Sequence, residues 1–439
     1  MQGSNLRRFK RRILSTGTWK IRLVFWSGAI LVGLVAAFFA ESADYIHLLF
    51  TKLLSTSPYI PLVLTPLGLM LASWLTTRFF HGSSGSGIPQ TIAALNIPRS
   101  SDRESLLSLR IAIGKTLLTL MGLGCGASIG REGPSVHIGA SIMYVIGRYA
   151  HFPRHYLDRS LILAGGAAGL AAAFNTPLAG IVFAIEEMNN SFEERTNGTL
   201  LTAVIISGIT AIAILGNYSY FGHSDASMKL SISWFAIIIC GLTGGLLGGL
   251  FSASLIWSAQ WISPFRTRHP LILSALCGLA LAIIGLVTAG QTYGTGYQEA
   301  SGFVSGAESA DALFPYLKMA ATTISYLTGI PGGIFAPSLA TGAGLGNQLA
   351  MIFTDVPVTA IVLLGMVGYF SGVVQTPITS TIIIMEMTNN QDMLIPLMAT
   401  AFLAFGTSRI VCPTPVYRAL AKPFIEARMQ NHSNKKEIT

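Results

Sequence analysis

Long blocks of hydrophobic positions dominate the chain. Apolar runs occupy 24–40, 61–77, 160–185, 232–251, 271–289 and 356–385. A helix needs roughly 17–25 such residues to cross a bilayer, and helices are the simplest way to satisfy a backbone in lipid. The pattern therefore predicts an all-α polytopic membrane protein. The first run is no cleavable signal, because no small-residue cleavage site follows it and equally apolar runs come later.

Where the runs are interrupted, they are interrupted twice in the same way. Asn175-Thr-Pro-Leu-Ala-Gly-Ile-Val-Phe-Ala-Ile-Glu-Glu-Met-Asn-Asn190 matches Gln375-Thr-Pro-Ile-Thr-Ser-Thr-Ile-Ile-Ile-Met-Glu-Met-Thr-Asn-Asn390 at a constant offset of 200 residues, Pro177 to Pro377 and Glu186 to Glu386. Upstream of each copy stands a Gly/Pro turn, Gly130-Arg-Glu-Gly-Pro134 and Gly332-Gly-Ile-Phe-Ala-Pro337. We divide the chain into a basic segment 1–22, a first half 23–216, a connection 217–229, a second half 230–418 and a tail 419–439. Paired Gly/Pro interruptions in two halves predict broken helices that meet deep in the membrane, lining a site. Gly122-xxx-Gly126-xxx-Gly130 reads in addition as a small-residue seam for close helix packing.

Composition agrees with the pattern: 51% of residues are hydrophobic and 11% charged, against about 25% charged in soluble domains. The net charge of +9 does not mark a nucleic-acid binder. Its cations flank the spans: Arg7, Arg8, Lys10, Arg11, Arg12, Lys20 and Arg22 before the first, Lys422, Arg428, Lys435 and Lys436 after the last. The positive-inside bias places both termini in the cytoplasm, and a polar loop with Arg266 and Arg268 on the same side. Four scattered cysteines without CxxC spacing imply neither a disulfide nor a metal site. With 22 residues after Tyr417, no appended regulatory domain is expected.

Soluble-enzyme motifs fail on inspection. Gly114-Lys115-Thr116 lacks the first P-loop glycine, since position 109 is Leu109, and Gly124-Cys-Gly126 has Ile129 where a dinucleotide fingerprint needs its third glycine. Tyr293-Gly-Thr-Gly-Tyr297 lacks the order of a potassium filter. The eight histidines form no zinc-ligand pattern, so neither metal nor cofactor is implied. No nucleophile–base pair stands out, and an enzyme is not expected.

Three polar turns remain: Gly85-Ser86-Gly87-Ile88-Pro89, Gly130-Arg131-Glu132-Gly133-Pro134 and Gly333-Ile334-Phe335-Ala336-Pro337. Each places glycine or proline at a helix start, where unpaired N–H groups and the helix dipole attract an anion. Such a site holds an anion without a fixed cation that would retain it. A Glu132 carboxylate in one of these turns would compete with the anion until protonated, making it a gate; a salt bridge to Arg131 or a capping role are the alternatives. Glu186 and Glu187 close an apolar run and mark a membrane edge, yet the second half keeps only Glu386, with Met387 opposite Glu187, so one half carries an extra acid suited to proton uptake. Lys115, inside an apolar segment, is expected to pair with a carboxylate or to face a cavity. Tyr417 by itself reads as an interfacial aromatic.

The three turns in this order, with the late Tyr417, resemble the signature set of CLC chloride channels and transporters from about Ser84 to Tyr417. The bacterial antiporter type without cytoplasmic CBS domains is the nearest pattern. The resemblance implies two halves of inverted topology built from broken, tilted helices, and a homodimer with one pore per subunit in the inner membrane. It makes Ser86, Tyr417 and the amides of Ile334 and Phe335 the chloride site. It makes Glu132 the external gate and proton carrier, and Glu187, with Glu186 beside it on a water path, the internal proton route. Because family channels commonly replace that internal acid, the expected activity is electrogenic exchange of chloride for protons. A passive chloride channel and an exchanger of fluoride or nitrate are the alternatives; Ser86, rather than proline, matches the chloride-preferring form. Gln90 departs from the acid that many bacterial relatives carry there.

Overall fold

The computed structural model describes residues 16–98, 100–150, 154–189, 198–216, 218–228, 234–307 and 310–437. Arg7, Arg8, Lys10, Arg11 and Arg12, together with Asn217 and Lys229 of the connection, lie outside the described residues. Among those described, every regular element is helical, and extended pairing is confined to two isolated bridges.

The first half contains α1 (Thr16–Thr56), α2 (Pro61–Arg78), α3 (Ile88–Asn96), the short α4 (Ser100–Glu104), α5 (Leu109–Gly124), α6 (Glu132–Tyr149), α7 (Arg154–Phe174), α8 (Pro177–Phe183) running on as a π-turn (Ala184–Asn189), and α9 (Gly198–Leu215). The second half contains α10 (Phe235–Arg268), α11 (Pro270–Val287), α12 (Tyr297–Ser305), α13 (Phe314–Leu327), α14 (Phe335–Ala350), α15 (Val358–Val374), α16 (Pro377–Thr388) and α17 (Leu394–Val411); α18 (Val416–Glu437) follows. Leaving out α4, the two series match in order and in length: α2 and α11 have 18 residues each, α3 and α12 nine each, α9 and α17 18 each.

Six helices among the described residues are long and apolar enough to cross a membrane. At about 1.5 Å per residue, the 34 residues of α10 outrun a bilayer core of about 30 Å, so this helix is tilted or projects. The two longest apolar runs, 160–185 and 356–385, are not single spans. Each is broken at one place, where Asn175 and Gln375 turn to φ 57° and Pro177 and Pro377 start a new helix. A proline has no N–H to continue the preceding helix and fits the first turn of the next one.

The halves interlock with inverted polarity through the glutamates that the repeat aligned. Glu186 accepts hydrogen bonds from Ile378 N (3.2 Å), Thr379 N (2.7 Å) and Thr379 Oγ1 (2.7 Å), at the start of α16. Glu386 accepts from Leu178 N (3.1 Å) and Ala179 N (2.8 Å), at the start of α8. Each acid caps the counterpart of its own helix. A second reciprocal contact joins the turns before α6 and α14, where Gly130 and Gly333 exchange N–H···O bonds of 2.7 Å in an antiparallel bridge. Partners that swap roles in this way are related by a two-fold axis between oppositely directed halves.

The expected glycine seam at 122, 126 and 130 is not a helix face. Only Gly122 belongs to α5, while Gly126 (φ 82°) and Gly130 lie in the loop beyond its end. Close packing occurs instead between α6 and α7, where Gly139 and Gly165 meet backbone to backbone, and between α14 and α15 at Gly346 and Gly365. These inner helices are buried almost throughout, whereas α1, α9, α10, α11 and α17 turn Leu, Ile and Phe outward.

Candidate functional site

The three polar turns come together. Gly85 pairs with the strand-like segment before α14, donating its N–H to Ile330 O (3.1 Å) and accepting from Gly332 N (3.2 Å). The same segment holds Gly130 through Gly333. Helices α3, α6 and α14 thus start from one knot of backbone, with Gly87 (φ 103°), Arg131 and Ile334 as their N-caps. Gly87 needs both its left-handed conformation and its missing side chain, because a Cβ there would lie 2.6 Å from His137 Cβ. First-turn amides, Phe335 N among them, have no intrahelical acceptor.

Around this knot stand side chains that are buried and have few partners. Ser86 is 1% exposed and Tyr417 0%, and apart from each other neither hydroxyl has a hydrogen-bond partner among the described residues. Ser86 Oγ touches the place a Gly133 side chain would fill. Tyr417, at the start of α18, is seated by Phe335, whose ring lies 5.8 Å away and is itself wedged by Phe370 at 4.8 Å and Phe183 at 5.9 Å. The Tyr417 hydroxyl faces that of Ser86 as a hydrogen-bonding neighbour and is within electrostatic range of Tyr326, Glu132 and Glu187. Buried polar atoms with so few partners are uncommon, and their gathering at three helix starts suits a polar ligand.

Glu132, the first residue of α6, is fully buried, and its carboxylate meets no side-chain donor, only the backbone amides of Glu132 itself and Ala336. Its Oε2 folds back over Gly130, near the amide of Ala336. The carboxylate therefore faces the same helix starts as Ser86. Arg131 does not pair with it. That guanidinium donates to Asp44 Oδ1 (2.9 Å) and Ala40 O (2.7 Å) and lies over the Tyr220 ring. With Glu41, Tyr218 and Tyr297 these residues line a cavity of about 450 Å³.

Glu187 sits in the π-turn, 2% exposed, with Oε1 unpartnered and with Arg418 and Glu186 in electrostatic range. Its neighbour Glu186 is committed to the α16 cap. The two consecutive acids thus differ: one is tied into the fold, and one is left with a free oxygen.

Lys115 pairs with carbonyls rather than with a carboxylate. Its ammonium is buried and donates to Gly85 O (2.8 Å) and Ser84 O (3.4 Å), the carbonyls of the turn that carries Ser86. Gln90 Nε2 donates to the same Ser84 carbonyl, which gives this position a structural contact. The second half repeats the device. Lys318 donates to Thr292 O (3.0 Å), Tyr293 O (3.2 Å) and Gly294 O (3.0 Å), ahead of α12. Gly294-Thr-Gly296, with φ 63° and 78°, is therefore the counterpart of Gly85-Ser-Gly87, with φ 65° and 103°. Only the glycines are shared, too little for the sequence to reveal the match.

The arrangement resembles known folds along nearly its whole length. A slow cyanobacterial Cl⁻/H⁺ antiporter superposes with a TM-score of 0.81 at 23% identity, over 93% of this chain and 98% of that one. A CLC-type fluoride/proton antiporter gives 0.77 at 23% identity, over 91% and 97%. A eukaryotic CLC transporter gives 0.72 at 21% identity, over 91% and 74%. The sequence model of the voltage gated chloride channel family matches residues 68–409. With that match covering most of its length and its fold that of the CLC transporters, the chain belongs to the voltage gated chloride channel (CLC) family.

Proposed function

We propose that this protein exchanges chloride for protons across the bacterial inner membrane, electrogenically, with both termini in the cytoplasm and as a homodimer with one pathway per subunit. One juxtaposition carries the reading: the buried Glu132 carboxylate at the anion-favouring helix starts, and a second buried acid, Glu187, with the Tyr417 hydroxyl in range of both.

Chloride is held by the hydroxyls of Ser86 and Tyr417 and by the amides of Ile334 and Phe335. These dipoles are fixed in advance by the backbone knot and cost little reorganisation on binding. They carry no full charge, so the anion can leave. Glu132, when ionised, occupies the neighbouring helix start and repels chloride; when protonated, it vacates that place for the anion. Protons reach it from Glu187, and each occupancy change of chloride is thereby tied to a proton. Glu186 serves the water path by position, holding α16 beside the π-turn.

Purified protein in vesicles tests the reading. An imposed chloride gradient should drive protons uphill, with their movement stopped when chloride is replaced by an impermeant anion. Robust chloride flux without proton movement would show a passive channel instead. Competition by fluoride and nitrate decides the anion, and a clear preference for fluoride would replace chloride in the assignment.

A further inference from the structure

We propose that Arg418, in the first turn of α18, is a positioning residue for Glu187: a guanidinium that balances the charge of this buried carboxylate while leaving its oxygens open to protons. The inference deepens the exchange reading above and rests on it. Within the π-turn Ala184–Asn189, two consecutive acids part company. Glu186 caps α16, whereas Glu187 is 2% exposed, with Oε1 enclosed and unpartnered. Both the π-turn and α18 pack on α3, whose nine residues include no ionisable side chain. The start of α18 is held firmly in place. Pro413 and Pro415 lead into it, and Gln375 Nε2 donates to Cys412 O at 2.6 Å. Tyr417 is thereby seated against Phe335. Arg418, the next residue, is half-buried and within electrostatic range of Glu187.

Among the described residues, few other charged groups face Glu187. Its neighbour Glu186 is held by the amides of Ile378 and Thr379, and Tyr417 is a neutral phenol. Helix α7 meets the π-turn at Gly166, against Met188, about two turns past Asp158 and Arg159; Asp158 is bound by Arg103. The one acid of α16, Glu386, caps α8. Arg131 and Arg103 reach their carboxylates at 2.9 and 3.4 Å, and Arg418 makes no such bond with Glu187. That difference suits a proton carrier. A closed ion pair would occupy the oxygens that must accept the proton. A cation slightly further off lowers the cost of the negative charge and leaves those oxygens free. A proton arriving from water then binds Glu187 and passes toward Glu132, while the guanidinium keeps its own protons.

The test is proton and chloride flux through the reconstituted full chain, with pH varied on the side facing α18. Without the cation, ionised Glu187 costs more, so it keeps its proton to higher pH. In Arg418→Gln the pH at which proton flux falls to half should therefore move up by about one unit, the low end for a neighbouring opposite charge because water screens a half-buried group. Half-saturating chloride should not change. Arg418→Lys keeps the charge and should restore the wild-type profile. An unmoved profile in Arg418→Gln would overturn the proposal. So would an Arg418→Lys profile displaced equally far, which would show a packing role. In a Glu187→Gln background, Arg418→Gln should leave chloride flux as it was; a raised half-saturating chloride there would mean that Arg418 acts on the anion, and the proposal would fall. If Arg418→Gln does not fold, Arg418→Met, which keeps the apolar stem, is read by the same criteria. Failure of both to fold would show a packing role and overturn the proposal as well. A wild type that moves chloride without protons sinks the exchange reading; a coupled wild type with an indifferent Arg418 sinks only this inference.

Discussion

A buried carboxylate with no cationic partner is costly to keep ionised, and Glu132 and Glu187 are both buried with no ion pair among the described residues. Their substitutions should separate the two transported species. Glu132→Gln keeps the shape, removes the titrating group and should abolish proton movement while chloride flux persists; proton pumping by this variant would refute the gate. Glu187→Val should stop protons and spare chloride, with loss of both fluxes pointing to another role. Both assays are pH and chloride recordings on the same vesicles. Residue types were legible at these positions because the glycines around them fix the local backbone. Partners were not. Arg131 stands next to Glu132 in the chain but binds Asp44, 87 residues away, and Lys115 finds carbonyls rather than an acid. Only the fold decides which groups meet across such separations.

Helix breaks were legible because Thr-Pro after a long apolar run states a steric fact: the proline cannot continue the previous helix. The repeat was legible because the same break and the same glutamate recur 200 residues apart. What the repeat meant physically was not: Glu186 and Glu386 exchange caps between α8 and α16. Charge-assisted hydrogen bonds of this kind are worth about 1.5–3 kcal/mol, so Glu386→Gln, which turns an N–H toward Leu178 N or Ala179 N, should lower the temperature of half-unfolding in detergent. Glu186→Gln should do the same, more strongly, since it also meets Thr379 Oγ1. As the two caps hold one pair of helices, the double variant should lose less than the sum of the single losses; strict additivity would show two independent contacts. A bulkier test concerns α14 and α15: a Cβ at Gly365 would overlap the Gly346 backbone. Gly365→Leu should therefore prevent recovery of a monodisperse protein on size exclusion, and normal yield would show that the helices can separate freely.

At the scale of the molecule, inverted halves bring helix starts of like sign to one interior place, a geometry that suits a negative ion without a dedicated cation. The proposed exchange cycle has an electrical consequence independent of its stoichiometry. Chloride leaving and a proton entering both carry positive charge inward, so each cycle moves at least two charges the same way. At about 2.3 kcal/mol per charge per 100 mV, a modest opposing potential absorbs the energy of most chloride gradients. Net transport in sealed vesicles should therefore stall within a small fraction of the total chloride. Valinomycin with potassium, which shunts the potential, should release it and raise the sustained rate at least tenfold. Glu132→Gln should still need the shunt for chloride, since an uncoupled anion also carries charge, but should move no protons. Equal chloride efflux with and without valinomycin would mean electroneutral exchange, and the two-acid, one-anion cycle would have to be abandoned.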